Sequence, residues 1–120
     1  MAIKTIDNRK PQIPITVTLT TSIVAICPYS HEPQAGSYIS ITYQPKDKLI
    51  ELHAVEEFLA KLTQGTEAID LETVVQLLAT ECDDISIHIK AFYKLKNNLE
   101  MICEYQTSYI VATEIDGLPK

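Results

Sequence analysis

The chain has 120 residues, 46% of them hydrophobic and 22% charged, and carries a formal net charge of −6. That length suits one domain around a single core, and no apolar stretch approaches the roughly 18 residues of a membrane span. The acidic balance argues against a general nucleic-acid binder, whose affinity comes mainly from Lys and Arg set against phosphates.

Three cysteines, with neither Cys-x-x-Cys spacing nor a dense disulfide framework, point to a reducing compartment. Residues 1–10 are polar and lack the apolar core of a secretion signal, so a cytoplasmic location is expected.

Residues 1–12 read as a flexible arm ending just after Pro11. Residues 13–26 are rich in Thr, Val and Ile, with Ile15, Val17 and Leu19 alternating against Thr16, Thr18 and Thr20, a strand signal. This run opens onto the turn-rich loop Cys27-Pro28-Tyr29-Ser30-His31-Glu32-Pro33-Gln34-Ala35-Gly36. Residues 37–43 alternate again, with Tyr38, Ser40 and Thr42 opposite Ile39, Ile41 and Tyr43, predicting a second strand antiparallel to the first. Gln44-Pro45-Lys46-Asp47 reads as a turn, because Pro cannot donate to a ladder.

The period then changes. Val55, Phe58, Leu59 and Leu62 recur at three and four residues and predict a helix over 53–63, with Gln64-Gly65 as its stop. Asp70 is placed to cap a second helix carried by Leu71, Val74, Val75 and Leu78, ending near Cys82-Asp83-Asp84. Ile85, Ile87 and Ile89 alternate with Ser86, His88 and Lys90 in a third strand. Lys96-Asn97-Asn98 turns the chain into a fourth strand over 99–111, and a polar tail occupies 113–120.

The predicted order is ββααββ, a single α+β domain: an antiparallel four-stranded sheet with two helices on one face. The other face, carrying Thr, Tyr and Ile, has no cover from its own chain. Closure of sheets from several subunits into an oligomeric barrel would cover it and remove the edges. Lys90, Lys94 and Lys96 form a local basic cluster, read either as a solvated strand edge that discourages aggregation or as a basic strip on an assembled surface.

Cys27 is the candidate nucleophile. A reactive thiol needs a rigid base, partial exposure and neighbours that favour the thiolate, and this one follows a strand with an imidazole and a carboxylate close behind. Cys82 and Cys103 read as core thiols. No metal is expected, since Cys27 and His31 match no zinc-ligand spacing.

The order of elements, together with the strand–Cys–Pro–loop over 21–36 and Glu72 at the start of the second helix, resembles the tunnelling fold (T-fold). Within it the chain is similar to the nitrile reductase QueF and to the QueF-like amidinotransferases of archaeosine synthesis. In that family a cysteine followed by proline ends the first strand, and a glutamate anchors the purine-like ring. Cys-Pro-x-Ser-His-Glu over 27–32 is also similar to Cys-Pro-x-Ser-Lys-Glu of the type IB GTP cyclohydrolases, which are much longer.

The resemblance implies a Cys27 thiolate that attacks the nitrile carbon of 7-cyano-7-deazaguanine, free or within tRNA, to give a covalent thioimide. It implies self-association into pentamers or paired pentamers, and no membrane partner. Glu72 would accept hydrogen bonds from the ring N–H and exocyclic amine; otherwise it is a helix N-terminal acid complementing the macrodipole.

Two departures shape the expected activity. The reductases carry Glu-Ser-Lys-Ser-x-Lys for NADPH, where this chain has Glu51-Leu52-His53-Ala54-Val55-Glu56 followed by Glu57, so like charges would oppose the cofactor. The expectation is therefore amidino transfer with no cofactor, ammonia or an ammonia donor being the co-substrate. The family's proton-handling aspartate, seven residues after the nucleophile, is Gln34 here. Gln34 is left as a substrate-binding candidate, and His31 and Glu32 as candidates for proton handling or as solvated loop residues. The alternatives are an NADPH-dependent reductase, a GTP cyclohydrolase-like enzyme, or a non-catalytic ring-binding or assembly subunit.

Overall fold

A computed structural model describes residues 3–23, 31–63, 70–82 and 85–107. Its elements run β1 (Thr5–Asp7), β2 (Val17–Ser22), β3 (Gln34–Tyr43), β4 (Lys48–Ile50), α1 (Ala54–Thr63), α2 (Leu71–Glu81), β5 (Ile87–Lys94), a 3-10 turn (Lys96–Asn98) and β6 (Glu100–Gln106). The class is α+β with two helices and antiparallel sheets, as the periodicities predict. Strands β2, β3, β5 and β6 lie in that order in one sheet, and β1 pairs with β4 in a second, two-stranded one.

Side-chain alternation decides which face is buried. Registers Leu19↔Ile41↔Ile89 and Thr21↔Ile39↔Ala91↔Cys103 lie on one face. There Ile41, Ile87, Ile89, Ala91 and Tyr93 keep none of their surface exposed. Helix α1 contributes Ala54, Val55 and Leu59 to the same core, and α2 contributes Val74, Val75 and Leu78, the three- and four-residue spacings read from the sequence. Each Val, Leu or Ile among these contributes roughly 1.5–3 kcal/mol on full burial.

The other face carries Thr18–Thr42–His88 and Thr20–Ser40–Lys90–Glu104 rows, and its side chains are half-buried or exposed. Its polar groups pair with one another. Hydroxyl oxygens meet at 3.1 Å between Thr18 and Thr42 and at 3.0 Å between Thr20 and Ser40. His88 Nε2 and Glu104 Oε2 are 2.9 Å apart. The rings of Tyr38 and Phe92 stack with centroids 5.4 Å apart.

Several sequence expectations are corrected. The arm over 1–12 is not wholly loose: Ile3 is buried, and Thr5–Asp7 pairs with Lys48–Ile50, with Lys48 Nζ 2.6 Å from Asp7 Oδ1. This adds two short strands to ββααββ. β2 begins at Val17 rather than at 13, past Pro14, which has no N–H to give a ladder.

Asp70 stands at the N-cap of α2, but its side chain makes no capping hydrogen bond; its carbonyl accepts from Thr73 N–H at 3.0 Å. Nor does β5 form an edge. It is an interior strand, so Lys90 and Lys94 project from its open face while Lys96 sits in the following turn. The helix stop at 64–65, the ends of the strands predicted to reach 26 and 111, and the tail lie outside the described residues.

Candidate functional site

Cys27 lies in segment 24–30, outside the described residues. The chain on either side of it is described. Ile23, just past β2, donates its N–H to Ser37 O at 3.2 Å, and His31 leads into β3 with a left-handed φ of 57°. Both flanks therefore stand at one end of the sheet, where β3 begins and β5 finishes.

The ladder is irregular there. Gln34 pairs with Lys94 and Tyr38 with Phe92, so the strand bulges between them. Ser37 fills the break: its buried Oγ donates to Gln34 O at 2.7 Å and accepts from Lys94 N–H at 2.8 Å. Gly36 adopts φ +96°, and the Lys94 side chain runs over it so closely that a Cβ would lie 3.1 Å from Lys94 Cδ. Glycine meets both demands, the positive φ and the close approach.

The sequence-predicted residues distribute around this end. Gln34 Nε2 donates to His31 O at 3.3 Å, while the His31 side chain is exposed. Glu32 Oε2 accepts from Lys96 N–H at 2.9 Å, which pins the loop before β3 to the turn between β5 and β6. In that turn Asn97 and Asn98 take φ of 63° and 62°, a region Asn tolerates better than most residues.

Glu72, in the first turn of α2, is exposed. The buried Tyr93 hydroxyl donates to Leu71 O at 2.9 Å, docking the start of α2 onto the end of β5. Burial, then the Cys103 thiol and the Glu72 carboxylate, push the Tyr93 hydroxyl well above the usual phenol range. Burial, then Glu72, also raises the Cys103 thiol above its ordinary value, which disfavours the thiolate. Cys82 is buried. Glu32 and Gln34 thus stand where β3 begins, whereas Glu72 lies on the helix side of the sheet near Tyr93 and Cys103, and among the described residues no hydrogen bond joins it to the other two.

The stretch corresponding to a reductase's cofactor signature lies elsewhere, at the start of α1. His53 Nδ1 is 2.7 Å from Glu56 Oε1, and this bond, followed by the charges of Glu56 and Glu51, raises the imidazole above its ordinary value. A protonated His53 is the partner that the surrounding carboxylates favour.

Sequence reasoning missed Ser37 and Tyr93, whereas the turn it placed at Lys96-Asn97-Asn98 is present. For Ser37 the signal was present: it is the one small polar residue in the inward series Ser37, Ile39, Ile41, Tyr43. Among the described residues no group of three or more His, Cys, Asp or Glu is placed to hold a metal ion, and no helix is long and apolar enough to cross a membrane. No model of a known protein family matches the chain, and no curated protein matches it either.

Proposed function

We propose that the protein is a QueF-like amidinotransferase of the tunnelling fold, acting on 7-cyano-7-deazaguanine within tRNA and assembling as an oligomeric barrel in the cytoplasm. The observation that supports this reading is that Glu32 and Gln34 are held where the two flanks of the Cys27 segment arrive, with Glu72 exposed in the first turn of α2. The exposed Glu72 carboxylate is free to accept the ring N–H and exocyclic amine, a charge-assisted pair.

In the proposed reaction the Cys27 sulfur bonds to the nitrile carbon, and the nitrile nitrogen takes up the thiol proton. Ammonia then adds to the thioimide carbon and the C–S bond breaks. An amidine leaves and the thiol is restored, with no change of oxidation state and no cofactor. The carboxylates around His53 support transfer over reduction, because they oppose a phosphate-bearing hydride donor. His31, exposed beside the flank of segment 24–30, is the better-placed proton carrier, since Glu32 already accepts the Lys96 N–H.

Intact-mass spectrometry with the free nitrile base tests the reading. Wild type gains the full mass of one base, and Cys27→Ala gains nothing; an unmodified wild type at saturating nitrile sinks the thioimide. Adding ammonium to the adduct regenerates free protein, whereas discharge only by NADPH would make it a reductase.

One observation favours a second reading, a ring-binding subunit without chemistry. Gln34, in the family's acid position, holds a backbone carbonyl and cannot exchange a proton. Ring binding without an adduct is its signature.

A further inference from the structure

Between Gln34 and the turn joining β5 to β6 runs an open groove of about 590 Å³, within the size range of small-molecule sites. Its lining residues include two lysines, Lys94 and Lys96, and three carboxamide residues, Gln34, Asn97 and Asn98. All five can donate hydrogen bonds. Among the described residues neither lysine is in an ion pair, unlike Lys48, which Asp7 neutralises at 2.6 Å.

Two carboxylates lie near. Glu100 lines the same groove, and Glu32 has one oxygen committed to the Lys96 N–H. Leu99, 61% exposed, adds an apolar flank. The Lys94 side chain lies over Gly36 out to its Nζ, at the rim of the groove, with Glu100 its partner across the ladder.

We infer that this groove holds the phosphate of a phosphate-bearing nucleotide, with Lys94 and Lys96 on the phosphate oxygens and Gln34 facing the nucleoside. Unpaired ammonium groups beside carboxamide donors offer what a phosphate takes, charge and several N–H bonds at once. In a chain of net charge −6, this contact is local and salt-sensitive. As a statement about where the substrate's phosphate sits, the inference rests on the reading proposed above. The two fail separately: the thioimide is read by mass with a base that has no phosphate, whereas the groove is read by binding alone.

The experiment titrates the full chain with guanosine, guanosine 5′-monophosphate and a short single-stranded oligoribonucleotide, at low and moderate salt. The expected result is that phosphate-bearing probes bind about tenfold more tightly than guanosine, with the gain shrinking as salt rises. Lys94→Gln with Lys96→Gln removes that gain and leaves guanosine binding unchanged; Lys94→Arg with Lys96→Arg keeps it. Circular dichroism confirms that both double variants, altered only at exposed side chains, remain folded. An oligoribonucleotide that outbinds the monophosphate assigns the groove to a polynucleotide backbone, and equal affinity assigns it to a mononucleotide. The inference is overturned if no phosphate-bearing probe outbinds guanosine, or if the Gln pair binds them as wild type does.

Discussion

On the covered face of the sheet, Ile41, Ile87, Ile89 and Tyr93 are sealed beneath two helices. On the open face, Thr18, Thr20, Ser40 and Thr42 satisfy one another across neighbouring strands, and His88 meets Glu104. The first arrangement is non-local: every side chain depends on elements distant in sequence. The second is local to adjacent strands and asks nothing of the rest of the chain. Stability is therefore concentrated on one face. The other can meet a ligand or a second subunit without first exposing a core.

Substitutions on the two faces can break this contrast. Ile89→Ala should lose about 2–5 kcal/mol in urea unfolding, through lost transfer energy and a cavity at a fully buried position. A loss under about 1 kcal/mol would mean that the covered face is not the core. Tyr43→Phe should follow at about 1–3 kcal/mol. Its hydroxyl accepts the buried Ile50 N–H at 2.8 Å, so removal leaves that donor without an acceptor and loosens β4. Thr20→Val, on the open face, should stay within about 0.5 kcal/mol of wild type. A much larger change there would show the hydroxyl rows to be structural in their own right.

The same contrast explains what could be read from sequence. Period-two alternation around Ile39 and Ile89, and helical spacing around Val55 and Val74, located the inner parts of four strands and two helices, because burial on one face imposes those periods. The β1–β4 pair left no such mark. Thr5–Asp7 is short and polar, and it becomes a strand only by meeting Lys48–Ile50, with β2 and β3 between them in the chain. At the candidate site, the order of Glu32, Gln34 and Glu72 along the chain could be read, and so could the missing aspartate. How the fold holds the segments that carry them could not, because it depends on Tyr93 donating to Leu71 O and on Glu32 reaching Lys96, 64 positions away.

Ser37 gives this end of the molecule its own timescale. Where the bulge interrupts the β3–β5 ladder, the Lys94 amide is held by a rotatable hydroxyl instead of a carbonyl fixed in the backbone. A single rotamer change releases that amide to water while the rows from Ile39 to Tyr43 remain zipped. Isotope exchange at this one amide therefore reports the breathing of the loop–groove end, separately from unfolding of the sheet.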